Sequence, residues 1–267
     1  MKLGIIGFGN MARAIIKGNL KNNNIEEKNI YLANRTYKKL EDFQKEFSVH
    51  ICKKNTEVVK ECDVIILAVK PNVINSVLEE ICDYITSEKI IISLSVATKI
   101  KDIENVIGDK KIIRVMPNTP MQVASGVAGV VINKKITAED KQKVEKIFKD
   151  ISLIEYFTEK ELDAVSAISG SLPAYVYMFI EAVADGGVLN GLSREMSYKL
   201  VAQTILGSAK MVLESKKHPA QLKDEVTSPA GTTIEGLKIL EENNFRASLI
   251  KSQLACVNKA KKMAEEN

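Results

Sequence analysis

The chain begins with a short apolar strand pattern, Met1 to Ile6, that runs directly into Gly7-Phe8-Gly9-Asn10-Met11-Ala12 and a helix-like stretch to Leu20. A strand, a Gly-x-Gly-x-x-Ala turn and a helix in immediate succession leave few folds open. Gly7 permits the tight turn, Gly9 lets a pyrophosphate approach the backbone, and the small Ala12 lets helix pack closely on strand. The pattern predicts a dinucleotide-binding unit; the competing reading is a glycine-rich turn with no ligand.

The rest of the first half repeats that rhythm. Strands are expected at 29–33, near 49–51, and at 64–69, 89–93 and 112–115, with helices at 38–46 and 73–84 between them. This alternation predicts a doubly wound parallel sheet, an α/β Rossmann-type unit with helices on both faces. Ligands of such sheets sit beyond the C-terminal strand ends. Asn55, Ala68-Val69-Lys70-Pro71, Leu94-Ser95-Val96 and Met116-Pro117-Asn118-Thr119-Pro120 all follow expected strands and therefore share one rim. Each could be ordinary turn chemistry; together they predict a cofactor cleft with stiff proline edges.

After the second strand the chain reads Asn34-Arg35-Thr36, where NAD-selective proteins usually carry an acid for the ribose hydroxyls. The Arg35 guanidinium and Thr36 hydroxyl favour a 2′-phosphate instead, so NADPH is expected, with NADH possible. A solvated surface arginine is the plainer alternative.

Further strands are expected at 126–131 and 153–157, separated by a helix opened by Thr137, and Thr158 with Glu161 fits a capping box. Strand signals then stop, which divides the chain into an NADP-binding domain, 1–157, and an all-α domain, 158–267. Helices are expected at 161–168, 173–189, 194–213, 219–223, 232–242 and 245–264. The segment from Tyr175 to Ala184 is apolar round most of its circumference and demands burial on several sides. A partner subunit would supply that in a homodimer; burial within one subunit is the alternative.

Composition bounds the function classes. With 38 Lys and Arg against 34 Asp and Glu, the net charge of +4 is too small and dispersed to suggest nucleic acid. Cys52, Cys62, Cys82 and Cys256 form no Cys-x-x-Cys pair, so neither a zinc site nor structural disulfides are expected, and thiols suit a reducing cytoplasm. No charged leader precedes a long apolar run at the N-terminus, and 64–69 is too short to span a bilayer, so no membrane association is expected.

The second chemical signal is Asp224-Glu-Val-Thr-Ser-Pro-Ala-Gly-Thr-Thr233, followed by apolar residues at helical spacing. Thr232 with Glu235 fits a capping box, which makes Thr232 the expected cap and Thr233 the first helical residue. Free amides around Gly231, Thr232 and Thr233, with the positive end of the helix dipole, suit a substrate carboxylate; Ser228 lies in the same turn, and the Thr233 hydroxyl can reach a neighbouring heteroatom. An ordinary capped helix is the alternative. Of the two histidines, His50 is expected inside the cofactor domain and His218 before Pro219, both structural.

Taken together, the Gly7–Ala12 fingerprint, Asn34-Arg35, Val69-Lys70-Pro71, Met116–Pro120, Ser169-Gly-Ser-Leu-Pro-Ala-Tyr175 and His218–Asp224 running into the Ser228–Thr233 turn resemble the pyrroline-5-carboxylate reductase family across essentially the whole chain. The resemblance implies NADPH-dependent reduction of pyrroline-5-carboxylate to proline, the last step of proline biosynthesis, by hydride transfer to the imine carbon. It implies that Gly7, Phe8, Gly9, Asn10 and Met11 meet the phosphates, Asn34, Arg35 and Asn55 the adenosine side, and Ala68, Val69, Lys70, Pro71, Leu94, Ser95 and Val96 the ribose and nicotinamide. Ser228, Gly231, Thr232 and Thr233 would hold the substrate, with the Thr233 hydroxyl on the ring nitrogen. It implies a dimer, in some members a ring of dimers. Leu172 and Ala230 stand where the family usually has glycine.

Two other readings fit the residues. One is a different NADP-dependent reductase, of an acyclic imine or a hydroxy-acid precursor, with Lys70 as the rim candidate for its acid. The other is a non-catalytic NADP sensor, for which the lack of a general acid is natural.

Overall fold

The structure is a computed structural model that describes residues 1–265; the last two positions of the expected all-α domain lie outside it. Its chain order is β1 (Leu3–Ile6), α1 (Asn10–Lys21), β2 (Ile30–Ala33), α2 (Lys38–Gln44), β3 (His50–Cys52), α3 (Asn55–Glu61), β4 (Val64–Leu67), α4 (Pro71–Ile81), β5 (Ile90–Ser93), α5 (Ile100–Ile107), β6 (Lys111–Pro117), β7 (Gly126–Ile132), α6 (Ala138–Phe148) and β8 (Ser152–Tyr156). Helices follow: α7 (Glu159–Val165), a π-helical turn (Ser166–Ser171), α8 (Leu172–Leu189), α9 (Arg194–Ser215), α10 (Pro219–Glu225), α11 (Thr232–Glu242) and α12 (Phe245–Glu265).

The strands form one sheet in the order β3-β2-β1-β4-β5-β6-β7-β8. Side chains alternate between its faces. Leu3, Ile5, Val64, Ile66, Ile90 and Ile92 pack beneath α1, α2 and α6, while Ile65, Leu67, Ile91 and Ile112 pack beneath α3, α4 and α5. Every residue of β1, β4 and β5 is buried, which is what sheets covered on both sides require.

Pairing is parallel from β3 through β6, but β7 runs antiparallel to β6, with Ile113 opposite Ile132 and Pro117 opposite Ala128. The first-half strands are parallel as expected, and connection length explains the reversal at β7. Only residues 118–125 join β6 to β7, too few for the dozen or more that a parallel crossover needs. Two short helices, α3 and α5, were not anticipated. For α5 the signal existed: Ile100, Ile103 and Ile107 share one buried face, and the Asp102 carboxylate accepts the Lys99 amide. His50 is a correction, since it was expected in the interior. It sits exposed on the edge strand, stacked on Tyr31 with ring centroids 4.4 Å apart, because β3 has a neighbour on one side alone.

The chain divides into two compact units: residues 1–171 with the end of the chain from Cys256, and Leu172–Ala255. α7 and the π-turn thus group with the sheet, although the sequence placed them beyond its boundary. α7 opens on the expected capping box, Glu161 Oε2 accepting from the Thr158 amide at 2.8 Å and its hydroxyl at 2.7 Å.

The second unit has a different character. α8 and α9 pack as a hairpin, with Ser193 capping α9 through the Met196 amide at 3.2 Å. Ala184 is the one buried residue of α8, whereas Tyr177 is 60% and Met178 72% exposed. Burial of this apolar helix within one subunit is therefore not what the chain does. By length and composition alone the run Glu159–Leu189 is long and apolar enough to cross a membrane.

Candidate active site

The loop after β1 is fixed by its neighbours. Gly7 has φ of +96°, its amide donates to the Ala33 carbonyl at 2.9 Å, and a methyl there would lie 2.6 Å from the Ala68 carbonyl oxygen. Only glycine fits between the ends of β2 and β4 in that conformation. The next amide, Phe8, donates to Asn34 Oδ1 at 3.2 Å, and Asn34 Nδ2 donates to the Thr36 carbonyl at 3.0 Å. Phe8 buries its ring edge-on to Phe43, 5.0 Å between centroids, with the Arg13 guanidinium over its other side. Asn34 and Phe8 thus tie the glycine turn to β2.

Gly9 caps α1 in extended backbone, with no side chain accepting the first-turn amides and no acid among them. A methyl on Gly9 would meet nothing within 4 Å. An uncapped helix start with open space in front of its glycine fits a diphosphate. Asn10 is exposed and Met11 half-buried at this start, and Arg35 and Thr36 are exposed beyond β2. Asn55 is the first residue of α3 rather than a loop residue, and its side-chain Nδ2 donates to Glu80 Oε2 at 2.6 Å. Lys70 caps α4 in extended backbone ahead of Pro71, as the residue before a proline must.

Met11, Ala68, Val69, Leu94 and Val96 meet around a cleft of about 370 Å³. Met116 and Pro117 close it from β6, and Ser166, Gly170 and Ser171 line it from the π-turn. The sequence reading missed the π-turn residues as cleft-formers because a single π-helical turn carries no periodicity of its own. Asn118 holds that wall: it donates to the Ser169 carbonyl at 3.0 Å and accepts from the Val127 amide at 2.8 Å. A larger hollow, about 1250 Å³, runs along α5 and α7 with Lys99, Lys101, Lys134 and Lys160 on its walls, but it holds none of the expected site residues.

The loop after β5 is braced by its own side chains. Ser93 Oγ accepts the Ser95 amide at 3.2 Å, and Ser95 Oγ pairs with Thr98 Oγ1 at 2.8 Å. Beneath it lies Arg114, 2% exposed, whose Nη2 donates to the carbonyls of Val96 at 2.8 Å and Ser95 at 3.3 Å. Its Nη1 meets Glu159 Oε2 at 2.5 Å, and Glu159 Oε1 accepts the Ile100 amide at 3.1 Å. The sequence reading passed over Arg114, although an arginine inside Ile112-Ile113-Arg114-Val115 is itself a signal, since buried charge requires partners.

In the helical unit, α11 begins one residue earlier than expected. Gly231 is its cap and Thr232 its first residue, and no side chain caps it, so the Thr232–Glu235 box does not form. The physical reason lies in the preceding turn: the Gly231 amide donates to the Ser228 carbonyl at 3.1 Å and Ala230 takes φ of +57°. Alanine reaches that left-handed region at modest cost. Ser228, Thr232 and Thr233 are exposed and Gly231 half-buried, so Gly231, Thr232, Thr233 and Ser228 do converge on one helix start. The turn is anchored by Thr227, whose hydroxyl donates to the Lys223 carbonyl at 2.6 Å, and by Lys217 paired with Glu225 at 2.8 Å.

Both histidines have local structural contacts, His50 in its stack on Tyr31. His218 caps α10, its Nδ1 accepting from the Ala220 amide at 3.2 Å. Burial pushes the Cys62 thiol up to about 12, which keeps it protonated and inert near neutral pH.

Residues 2–97 match the family model described as NADP oxidoreductase, coenzyme F420-dependent, and residues 159–263 match the model for pyrroline-5-carboxylate reductase dimerisation. The chain is 39% identical to pyrroline-5-carboxylate reductase of Escherichia coli, over 99% of this chain and 98% of that one. It is 38% identical to the soybean, Glycine max, enzyme of the same name, over 98% and 96%. Among solved structures, pyrroline carboxylate reductase of Plasmodium falciparum with NADP bound superposes with a TM-score of 0.91 at 39% identity, covering 99% of this chain and 98% of that one. An end-to-end match at this identity, on a sheet and helical unit of the same form, makes the chain a member of the pyrroline-5-carboxylate reductase family.

Proposed function

We propose that this chain is an NADPH-dependent oxidoreductase that reduces 1-pyrroline-5-carboxylate to L-proline. NADPH supplies the hydride that reduces the imine carbon. The start of α1, with Gly7, Gly9, Asn10 and Met11, holds the pyrophosphate, while Phe8 and Asn34 keep that turn in shape. Arg35 meets the 2′-phosphate and Asn55 the adenosine side. Ala68, Val69, Lys70 and Pro71, with Leu94, Ser95 and Val96, bound the ribose and nicotinamide.

The start of α11 carries the substrate half of the reading, because Gly231 leaves the first-turn amides with no side-chain cap. Amides of Gly231, Thr232 and Thr233 hold the carboxylate with help from Ser228, and the Thr233 hydroxyl holds the ring nitrogen. A pyrroline nitrogen takes its proton from solvent before binding, so no strong side-chain acid is required. A spectrophotometric assay decides the matter: NADPH oxidation dependent on pyrroline-5-carboxylate supports the reading, and tight NADPH binding without turnover would make the chain a sensor.

The remaining expectations belong to the same proposal. The boundary at 157/158 separates a cofactor domain from a domain that pairs two subunits. Exposed apolar side chains on α8 and α9, including Tyr177, Met178 and Leu206, support a homodimer over a membrane span, since the long apolar run also carries Glu181 and Asp185. Dimers can assemble further into a ring. Buried thiols at Cys52 and Cys62 support a cytoplasmic setting, and the balanced charge argues against nucleic acid. Sedimentation at micromolar concentration tests the assembly, a monomer being the outcome that overturns it.

A further inference from the structure

We propose that Arg114 is a positioning residue that sets the width of the nicotinamide cleft, working through Glu159; this rests on the reading that Leu94–Val96 bound the nicotinamide. Neither side chain lines the cleft. Their effect is on its two walls.

One wall is the loop after β5, and Arg114 Nη2 draws in its Val96 and Ser95 carbonyls from below at 2.8 and 3.3 Å. Another wall is formed by the π-turn Ser166–Ser171, which continues α7. Glu159 is the first residue of α7, and it binds Arg114 with one oxygen at 2.5 Å and the Ile100 amide at the start of α5 with the other at 3.1 Å. A single guanidinium therefore joins the loop of one wall to the root of the helix that carries the other. The planar fork is essential, because two nitrogens must point in fixed and different directions, which an ammonium cannot reproduce.

Stability alone does not account for this arginine. It is 2% exposed, and its Nε has no partner among the described residues. Burying a guanidinium with an unmet N–H is costly, and an apolar side chain between Ile113 and Val115 would commonly serve the sheet as well or better. What the ion cluster adds is geometry: it fixes the Ser95 and Val96 carbonyls of a loop already braced by Ser93 Oγ on the Ser95 amide and by the Ser95–Thr98 hydroxyl pair, and Leu94 and Val96 line the cleft from that loop.

The test uses the full-length enzyme and three substitutions, Arg114→Met, Arg114→Lys and Glu159→Ala. Binding of NADPH is followed by fluorescence titration, and turnover with NADPH deuterated at the 4R or the 4S position. Expected for Arg114→Met is kcat lower by about ten- to a hundredfold, since small misplacements of bound reactants cost that much. NADPH binds about tenfold more weakly, KM for the imine changes little, and the primary isotope effect on kcat rises as hydride transfer becomes limiting. Arg114→Lys keeps the charge and fails to rescue; Glu159→Ala moves the same readouts in the same direction by less. An isotope effect and NADPH affinity unchanged from the native enzyme in folded Arg114→Met, or full rescue by lysine, overturns the proposal. Should Arg114→Met not fold, an unchanged Glu159→Ala overturns it. If the native enzyme fails to turn over pyrroline-5-carboxylate, the functional reading fails, while NADPH affinity of the variants still judges the loop.

Discussion

Two helices of this molecule begin in nearly the same way for opposite reasons. α1 starts at Gly9 (φ −85°, ψ −171°) and α11 at Gly231 (φ −82°, ψ 172°), both without a side-chain cap. A methyl on Gly9 meets empty space, whereas a methyl on Gly231 would lie 2.4 Å from Ser228 Oγ and 3.1 Å from the Ser228 carbonyl oxygen. The first glycine keeps room for something arriving from outside. The second is required by the turn that delivers it. Charge differs in parallel: the first turn of α1 has no acid, as suits a diphosphate, while that of α11 carries Glu235, tolerable beside a single carboxylate. Bare helix starts are alike in backbone; their ligands are read from what surrounds them.

The contrast can be broken most directly at Gly231. Gly231→Ala must turn the Ser228 hydroxyl aside and push the Ser228 carbonyl back by a few tenths of an ångström, shifting the amides of Thr232 and Thr233 with it, so kcat/KM for the imine is expected to fall by about fiftyfold, somewhat less than the roughly hundredfold that an ångström of misplacement costs. NADPH affinity, measured separately by fluorescence titration, should not move. Gly9→Ala should do the reverse. With no atom in its way the fold keeps its melting temperature, while NADPH binds about thirtyfold more weakly through loss of charge-assisted hydrogen bonds to phosphate. A Gly9→Ala protein that melts early, or binds NADPH normally, would remove the distinction between the two glycines.

The same pair explains what could be read in the sequence. The Gly9 start was legible because its pattern is local and contiguous: apolar strand, two spaced glycines, small residue, helix. The sheet was legible too, since strands buried on both faces read as short continuous apolar runs, such as Val64–Leu67, bounded by turn residues. The start of α11 was placed one residue late. Thr232-x-x-Glu235 satisfies a capping box as well as Gly231 satisfies a bare cap, and what decides between them is the Gly231 amide already bound to the Ser228 carbonyl, which sequence spacing does not reveal. The π-turn was out of reach for a different reason, and so were the partners of Arg114, although its place in an apolar strand flagged it as buried charge. Their roles depend on Val96, Glu159 and Ser169 arriving from distant parts of the chain.

Thr233→Ala sharpens the α11 half of the comparison by sparing its backbone. The residue sits in the first turn, exposed, so truncation leaves the amides in place and removes one hydroxyl. A loss of about tenfold in kcat/KM, the weight of one hydrogen bond near 1.4 kcal/mol, is expected with pyrroline-5-carboxylate. Because the carboxylate is still held, KM should shift less than kcat. Unchanged kinetics in the folded variant would assign the nitrogen to another group and leave α11 as a carboxylate site alone.

Arg35→Asp gives the smallest expected effect and probes the α1 half at its outer edge. Arg35 is exposed beyond β2, so the proposed pairing with a 2′-phosphate would be screened by solvent and salt and amount to about 1 kcal/mol. The ratio of kcat/KM for NADPH to that for NADH should therefore fall by about fivefold, with NADH use hardly altered, because the pyrophosphate amides at Gly9 serve both cofactors alike. Raising the ionic strength should erode the native enzyme's preference and leave that of the variant flat. If both cofactors lose equally, Arg35 supports the loop itself, and whatever selectivity the enzyme has must come from Thr36 or from the backbone beside it.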